Sequence, residues 1–565
     1  MNPNTIIDTE TVSLSDVKPG VPQERAIHGA GAGFIEKWLH DHLTTLALVV
    51  TAAGFVARIF TATRSYLNPD EALHYLLINE PSLSLAYKAS LTNAHPPLVY
   101  LVLYFWHFLG RSELMLRLPL IFAGTAFCWF TFKWIQVLFG ESASLIALIV
   151  VAFSPTLITL SAEVRQYALL LFCMTAALYF LERALKEKSL AIMWLFSIFL
   201  YLAILSHYSA AFFCLATGIY ALARIADSGW PRKLASAWAV GQLGGVAIYV
   251  LLYVTHISKI RNNISVWATP FGNSFYRFDQ WDIFHFTRKN TWSIFQYMFV
   301  QRYVAGAMLI GFIAGVAIFF FREFMPAPRN YGSRHIGIQL LFPFAAVWAA
   351  AIAGIYPYVG SRHTIVLAPF AIAAASFLFA AICRQKLWAA ILVASLLAGI
   401  SNSDRNRPEP GIAEADQRRE LMTEAIDYLH QSAPEGDLIL TDLAGSLPLA
   451  YYYCEPEKEL FMSWSQAGFD QFSCNGHLIV TLHFWLLRPD GLDFPFKKIV
   501  HERGLKPGKR VWIFQAGWGG NLLADLPLLP QFRCVTPRTF GNNITIVPLM
   551  IGPDLSPVPQ ANCSN

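Results

Sequence analysis

Charged residues are scarce in this chain. Asp, Glu, Lys and Arg together make up 14% of its 565 residues, whereas an average soluble domain has roughly 25%. Apolar residues make up 55%. So little charge over so great a length excludes a soluble globular protein and predicts a polytopic membrane protein. The formal net charge of +5 gives no indication of nucleic-acid binding, and we expect no nucleic-acid partner.

Cysteine pairs with metal-site spacing are lacking too. Four of the eight cysteines lie in apolar runs, where cysteine acts as a small hydrophobe. The other four lie in the polar C-terminal region: Cys454, Cys474, Cys534 and Cys563. If this region is extracytoplasmic, these four are expected to form two disulfides, and three connectivities are open.

A secretory signal is not seen before the first hydrophobic run. Residues 1–42 are polar and contain Pro and Gly, which predicts a cytoplasmic N-terminal tail.

Long apolar runs are abundant. A transmembrane helix needs about 20 apolar residues. Eleven runs reach or approach this length: 43–63, 116–138, 142–160, 165–183, 190–206, 208–225, 235–257, 297–321, 336–356, 364–383 and 387–402. The segment 96–110 is apolar but shorter and contains His107, so we expect an interfacial helix there. The predicted fold is an α-helical polytopic membrane protein with about eleven transmembrane helices.

Loop charge gives the predicted orientation. With 96–110 on the surface, the loops on one side carry the basic clusters, such as Arg183, Lys186 and Lys188. The short loops on the other side carry only Arg165 and Arg362. By the positive-inside rule the first side is cytoplasmic. The N-terminus is then cytoplasmic, and the chain beyond residue 403 is extracytoplasmic.

Three regions follow from this orientation. Residues 1–42 are the cytoplasmic tail, and 43–403 are the transmembrane domain with an outer loop at 64–115. Residues 404–565 are expected to form a small extracytoplasmic α/β domain, because an amphipathic stretch precedes short apolar runs separated by Gly, Pro and Asn. The expected helix is 414–431, and the expected strands are 437–441, 477–483, 509–515 and 543–549.

Polar side chains that can do chemistry converge on the predicted outer side. They are Asp70, Glu71, His95, Glu163, Arg165, His207, Arg362 and His363. Acidic residues are energetically costly in a membrane, so a membrane protein rarely places them beside a span without a function. Their convergence on one side predicts a single site.

The pair Asp70-Glu71 has three interpretations. Either carboxylate can act as a general base, or both can hold a divalent cation. The third interpretation is structural, an exposed pair that caps a helix beginning at Ala72.

The other residues of the predicted site also have alternative interpretations. Glu163 and Arg165 are either an interfacial ion pair or part of a sugar or phosphate site. Arg362 follows a Pro- and Gly-containing turn and is suited to bidentate phosphate binding, or to lipid headgroups at the interface. His207 is expected to be an interfacial histidine.

Several motifs resemble the C-type glycosyltransferase superfamily, whose members use polyprenyl-phosphate sugars. The acidic pair is followed by His95-Pro96-Pro97-Leu98-x-Tyr100, and then by Gly-x-x-Glu-x-x-x-Arg-Leu-Pro at residues 110–119. Glu163-x-Arg165-x-Tyr167 is similar to a run of the bacterial branch related to protein O-mannosyltransferases and lipid A aminoarabinose transferases. Gly360-Ser361-Arg362-His363 also matches. The resemblance covers residues 43 to about 403.

This resemblance implies roles for individual residues. Asp70 would be the catalytic base with Glu71 beside it, and Glu163 would place the acceptor or a cation. The residues that would hold the lipid phosphate are Arg165, Arg362, His95, His363 and Lys88. No cofactor is implied with certainty, and a divalent cation stays open.

The implied reaction is an inverting glycosyl transfer. The donor would be a sugar on a polyprenyl phosphate, and the acceptor would be a hydroxyl of a glycan, lipid or protein. The protein would lie among the lipids of a bacterial inner membrane. The alternative function is a transporter or flippase for a lipid or lipid-linked sugar, although transporters place their binding groups near the membrane midplane. Within the enzyme class, en bloc oligosaccharide transfer from a pyrophosphate-linked lipid is the closest alternative.

Overall fold

Long helices make up most of the chain before residue 403. The structure is a computed structural model that describes residues 24–261, 274–278, 282–321, 333–403, 418–454, 469–482, 505–517, 532–534 and 537–551. The helices before residue 403 are α1 (Glu24–Asp41), α2 (Leu43–Arg64), α3 (Pro69–Ile78), α4 (Leu83–Ser90), α5 (Leu98–Trp106), α6 (Glu113–Phe139), α7 (Glu141–Phe153), α8 (Pro155–Ser161), α9 (Tyr167–Glu187), α10 (Leu190–Ser206), α11 (Ala210–Asp227), α12 (Arg232–Leu252), α13 (Ser258–Arg261), α14 (Ile283–Phe299), α15 (Arg302–Phe321), α16 (Ser333–Ile352), α17 (Ala368–Ile382) and α18 (Leu387–Ser401).

Eight helical segments of the described chain are long and apolar enough to cross a membrane, so the chain is an integral membrane protein. A ninth candidate is the pair α7 and α8. Two of the eleven predicted spans, 190–206 and 387–402, are the shorter apolar helices α10 and α18. The segment 96–110 also forms a short apolar helix, at Leu98–Leu109.

The predicted span 142–160 is bent by 61° between α7 and α8. Pro155 begins the second helix, and a proline lacks the N–H that would continue the hydrogen bonding of α7. Arg58, buried on α2, donates to the carbonyls of Val151 and Ala152 at the end of α7, both at 3.3 Å. The guanidinium therefore satisfies carbonyls that the break leaves without helical partners.

The acidic pair lies within the first turn of α3. The helix begins at Pro69, and Asn68 caps it in a capping box with Glu71. The expectation of an exposed pair is therefore wrong, because both acidic side chains are buried. The helix also begins at Pro69 rather than at Ala72, and of the pair only Glu71 takes part in the cap, as the partner of Asn68.

A mixed sheet with two helices follows residue 418. Its elements are α19 (Arg419–Ser432), β1 (Leu438–Asp442), α20 (Leu443–Pro448), β2 (Phe469–Cys474), β3 (His477–Leu482), β4 (Arg510–Ala516), β5 (Phe532–Cys534), β6 (Arg538–Phe540) and β7 (Ile544–Ile551). The strand order is β2-β3-β1-β4-β7-β5, with β6 also pairing with β7. β1 is parallel to β3 and β4, and the other pairs are antiparallel.

The predicted fold class, polytopic helices with a small α/β unit near the C-terminus, is confirmed. All four expected strands are present, as β1, β3, β4 and β7. The expected helix 414–431 is α19, and residues 414–417 lie outside the described residues. The short strands β2, β5 and β6 were not predicted.

One disulfide joins Cys454 to Cys474. It links the turn after α20 to the end of β2. Cys563 and the side chain of Cys534 lie outside the described residues, so the second expected pair stays a prediction.

The mixed sheet and its two helices, α19 and α20, are called the sheet unit below. An apolar cluster connects this sheet unit to the helices before it. Ala72 and Tyr75 of α3 pack in this cluster with Leu447 of α20 and with Tyr451. The rings of Tyr75 and Tyr451 make an edge-to-face contact with centroids 5.2 Å apart. The helix that carries the acidic pair is thus buried between the two parts of the chain.

Candidate active site

Two arginines from distant loops meet at one carboxylate oxygen. Oδ2 of Asp70 lies 2.9 Å from Nη1 of Arg165 and accepts a 2.7 Å hydrogen bond from Nη1 of Arg362. Arg165 comes from the connection between α8 and α9, and Arg362 from the short helical turn before α17. Three of the residues predicted from the sequence are thereby brought together.

The two arginines determine the ionisation of Asp70. Burial alone would raise the pKa of this carboxyl, but the charges of Arg165 and Arg362 outweigh burial and hold the pKa well below its usual range. The side chain of Arg165 is 3% exposed, whereas that of Arg362 is 26% exposed. Arg165 is thus a fixed partner of Asp70, and Arg362 is the partner that a ligand can reach.

Glu71 is engaged on both carboxylate oxygens. Arg117 donates to them from Nε and Nη2, at 2.8 and 2.7 Å. The backbone N–H groups of Asn68 and Val164 donate as well, at 3.0 and 2.8 Å. With four donors and no exposed surface, Glu71 holds the start of α3 against the connection that carries Arg165. This arrangement favours a structural role over the catalytic role expected from the sequence.

Arg117 is a residue of this site to which the sequence analysis gave no role. It is fully buried on α6, and its Nη1 donates to the carbonyls of Ala62 and Ser65 at 2.6 and 2.7 Å. Nη2 also donates to the carbonyl of Tyr66, at 2.9 Å. The sequence signal that could have pointed to Arg117 is its position in the Gly-x-x-Glu-x-x-x-Arg-Leu-Pro motif.

Four histidines form a row of rings beside the arginines. The ring centroids are 6.0 Å apart for His74 and His95, 5.6 Å for His95 and His207, and 6.4 Å for His207 and His363. His74 was not predicted as a site residue. It follows Asp70 by one helical turn, and its Nδ1 lies 2.7 Å from the Asp70 carbonyl oxygen.

The histidines outside the spans are held neutral. Burial, with the charge of Arg165 next, lowers the pKa of His74 to about 3. The same two causes lower the pKa of His207 to about 3, with Arg362 contributing. Burial and Arg165 also hold the pKa of His95 well below its usual range. At neutral pH the positive charge beside Asp70 therefore comes from Arg165 and Arg362 rather than from these histidines.

Several buried polar atoms near the arginines have no hydrogen-bond partner among the described residues. They include Nδ1 of His95, Oγ of Ser361 beside Arg362, Nε of Arg165 and both polar atoms of the Gln166 amide. A buried polar atom without a partner is uncommon in folded proteins and calls for an explanation such as a bound polar group. A polar ligand between His95 and Arg362 would supply one.

The remaining predicted residues are placed differently. Glu163 is half-buried, and its charge acts on Arg165, two residues further along the chain. Lys88 is exposed on α4, and within the described chain no hydrogen bond or ion pair joins it to Asp70, Arg165 or Arg362. The place of Lys88 at the phosphate site stays a prediction.

The described residues contain no cluster of side chains with metal-binding geometry. No group of three or more His, Cys, Asp or Glu side chains there is arranged to hold a metal ion. Asp70 and Glu71 point to different arginines rather than to a shared centre.

Comparisons with known proteins identify a related family. The sequence profile of the family described as dolichyl-phosphate-mannose-protein mannosyltransferase matches residues 94–258. The resemblance to the C-type glycosyltransferase superfamily is confirmed. The matched segment covers less than a third of the chain and includes His95, Arg117 and Arg165. No curated protein sequence gives a match.

Solved structures with a similar arrangement include ArnT from Cupriavidus metallidurans bound to undecaprenyl phosphate. Its identity is 14% and its TM-score 0.49, over 91% of this chain and 98% of that chain. The archaeal oligosaccharyltransferase AglB from Archaeoglobus fulgidus, in complex with an inhibitory peptide and a dolichol-phosphate, has 11% identity and a TM-score of 0.44. That match covers 73% of this chain and 64% of AglB. Likeness at this level does not by itself carry a function to this chain.

Proposed function

We propose that the protein is an inverting glycosyltransferase. It moves a sugar from a polyprenyl-phosphate donor to an acceptor hydroxyl at the extracytoplasmic face of the membrane. The family match, to proteins described by a dolichyl-phosphate-mannose donor, supports a lipid-phosphate sugar as the substrate class. The residues that carry the proposal are Asp70 as general base, and Arg165 and Arg362 as the phosphate-binding cations.

The observation that carries the proposal is the sharing of Asp70 by two arginines. A carboxylate that accepts from two guanidiniums is a weak base, because its charged form is strongly favoured. The same guanidiniums are suited to a phosphate, which binds arginine through similar planar, paired hydrogen bonds. An arriving phosphate monoanion can therefore compete with Asp70 for Arg362, the more exposed arginine.

This competition couples donor binding to base activation. When Arg362 turns to the donor phosphate, Asp70 loses one of its two cationic partners and its pKa rises. A carboxylate with a higher pKa takes a proton more readily. The base is then weak in the empty site and becomes competent once the donor is bound.

The proposed reaction step needs only the donor, the acceptor hydroxyl, Asp70 and the two arginines. The acceptor oxygen forms a bond to the anomeric carbon on the face opposite the phosphate, and its proton passes to Asp70. The bond between the anomeric carbon and the phosphate oxygen breaks as this happens. The charge that develops on the leaving polyprenyl phosphate is stabilised by Arg362 and Arg165, and the configuration at the anomeric carbon inverts.

The neutral histidines have a complementary part in this proposal. His95 offers the unpaired Nδ1 described above, and His363 is the neighbour of Arg362. Neutral imidazoles can donate or accept hydrogen bonds without adding charge, which suits the polar headgroup of a donor. We propose that they line the phosphate and sugar, while Glu163 places the acceptor.

The proposed orientation is the one predicted from loop charge. The N-terminal tail is cytoplasmic, residues 43–403 form the transmembrane domain, and the sheet unit beyond 403 is extracytoplasmic. Cys454 and Cys474 support this, because disulfides persist in oxidising compartments. A bacterial inner membrane is the proposed location.

The experiment that tests this function uses the purified full chain in proteoliposomes with a panel of synthetic polyprenyl-phosphate sugars and hydroxyl acceptors. Mass spectrometry would detect the glycosylated acceptor, and a fluorescent donor would report movement across the bilayer. We expect covalent transfer with one donor and inversion at the anomeric carbon. Movement of lipid-linked sugar without any glycosylated acceptor would contradict the proposal and support a flippase.

A further inference from the structure

The short segment before Asp70 is held from the sheet unit. The backbone of Ser65 forms an isolated bridge with Arg418. The Tyr66 hydroxyl accepts a 2.6 Å hydrogen bond from Nδ2 of Asn543. The N–H of Leu67 donates to the Tyr452 hydroxyl at 2.7 Å. Three consecutive residues thus contact a part of the chain more than 340 positions away.

The next contact along the segment is the close packing of Gly517 against Pro69. A Cβ atom added to Gly517, at the end of β4, would lie 2.4 Å from Cγ of Pro69. This glycine also has a φ of +84°, a conformation that favours glycine. The sheet unit therefore packs directly on the residue before Asp70, and only a glycine fits at the contact.

The segment has no regular structure of its own between the end of α2 and Pro69. Arg117 binds its carbonyls at Ser65 and Tyr66 from the α6 side. Tyr452 binds the N–H of Leu67, which is fully buried. Without the Tyr452 hydroxyl this N–H would lose its partner in the interior, at a cost that favours a shift of the segment.

Tyr452 is itself fixed at several points. Its hydroxyl also donates to Oε1 of Glu113, and Oε2 of Glu113 lies 2.9 Å from Nε of Arg419 on α19. Two residues after Tyr452, the disulfide at Cys454 ties the same turn to β2. These contacts connect the sheet to the segment before Asp70 through Tyr452.

Three successive tyrosines on this turn have different partners. Tyr451 donates to the Arg111 carbonyl at 2.8 Å, and the Tyr453 hydroxyl pairs with Nδ1 of His477 inside the sheet unit. Of the three hydroxyls, that of Tyr452 is the acceptor for the Leu67 N–H in the segment before Asp70. The neighbours therefore provide matched controls with the same ring and the same local backbone.

We propose that Tyr452 is a positioning residue, through which the sheet unit sets the place of Asp70 relative to Arg165 and Arg362. The sheet unit is then part of the catalytic apparatus. This inference rests on the proposed function. Its physical basis is that a displacement of about 1 Å in a reacting group can cost about 100-fold in rate.

The test compares Tyr452→Phe with Tyr451→Phe in the full-length protein. We expect Tyr452→Phe to lower kcat by about 10- to 100-fold with the KM for the donor within twofold of wild type. Tyr451→Phe should keep both parameters near wild type. Equal kcat values in the two variants, or a loss confined to KM, would overturn the inference.

A second pair of variants covers the case in which Tyr452→Phe does not fold. Asn543 is half-buried, and its side chain holds the Tyr66 hydroxyl, whereas its neighbour Asn542 is exposed. We expect Asn543→Ala to lower kcat in the same way but by less, and Asn542→Ala to leave it unchanged. An unchanged kcat in Asn543→Ala would contradict positioning through this segment.

A structural readout separates this inference from the proposed function. Hydrogen exchange of the peptide covering residues 65–71 should become faster in Tyr452→Phe than in Tyr451→Phe, because the Leu67 N–H has lost its acceptor. Unchanged exchange would overturn the positioning role even in an active enzyme. If the wild type transfers no sugar, the proposed function fails, while the exchange experiment still decides whether Tyr452 holds the segment.

Discussion

Arg362 and Asp70 are 292 positions apart in the chain, yet Nη1 of one lies 2.7 Å from Oδ2 of the other. Arg165 is within 2.9 Å of the same oxygen. The shared oxygen makes the basicity of Asp70 depend on where the two arginines are directed. A ligand anion that draws Arg362 away changes the basicity of Asp70 without touching it.

Replacing Arg362 tests whether the more exposed of the two arginines binds the donor phosphate. Arg362→Gln should weaken donor binding by about 10- to 100-fold, because a hydrogen bond to a charged group is worth about 1.5 to 3 kcal/mol. Arg362→Lys keeps the charge and should recover part of the loss. The measurement is a donor titration by fluorescence or calorimetry. Donor binding unchanged in Arg362→Gln would remove this residue from the phosphate site.

Replacing Glu71 separates structure from catalysis. Glu71→Gln leaves Arg117 buried without a carboxylate, so we expect it to lower the free energy of unfolding by about 3 kcal/mol. Glu163→Gln, at a half-buried position, should lower it by less than about 1 kcal/mol. Thermal unfolding in detergent measures both. A Glu71→Gln protein as stable as wild type but inactive would make Glu71 the base instead of Asp70.

The pH dependence of stability follows from the buried histidines. The pKa values of His74 and His207 are lowered to about 3 in the folded state, whereas the usual value is about 6.5. Between these values the unfolded chain binds more protons, so stability is full above about pH 6.5 and is lost as the pH falls. The low pKa of Asp70 acts in the same direction below about pH 4.

The variant His207→Gln isolates one of these contributions. Its unfolding midpoint, measured in detergent from pH 7 to pH 4, should fall less steeply than that of wild type. Expressed as the free energy of unfolding, the pH slopes of the two proteins should differ by nearly one proton, or about 1.4 kcal/mol per pH unit. Parallel curves for the two proteins would show that His207 is not held neutral.

The disulfide gives a prediction for the sheet unit. Removing the bond between Cys454 and Cys474 with the double variant Cys454→Ser/Cys474→Ser should lower the free energy of unfolding by about 3 kcal/mol, since the bond closes a loop of 20 residues. The control is Cys214→Ser, at a free cysteine. Peptide mapping of the non-reduced protein should recover the Cys454–Cys474 pair. Recovery of both cysteines as free thiols would contradict the bond.

The sequence was informative where the physical signal is local. Apolar length along the chain predicts membrane helices, and each of the eleven predicted runs contains a helix. The bend at Pro155 was missed because the run 142–160 stays apolar across it. The expectation that Asp70, Arg165 and Arg362 lie on one side came from loop charge, and their direct contact is consistent with it.

Other features depend on contacts that a single sequence does not display. The role of Arg117 requires the carbonyls at the end of α2 to face α6, and nothing in residues 62–66 indicates this. The short strand β2 was missed because its Asp, Gln and Ser residues weaken the apolar alternation. Lys88 was expected at the phosphate site because of the resemblance. It is exposed on α4, and its role there stays a prediction.

The most direct test of the central claim is single-turnover transfer by Asp70→Asn, with donor binding measured on the same preparation. Asparagine keeps the shape of the side chain but cannot take the acceptor proton. We predict donor affinity equal to or tighter than wild type, because the arginines are released, and a transfer rate about 100- to 10,000-fold lower. Transfer at the wild-type rate in a variant that binds donor normally would show that Asp70 is not the base.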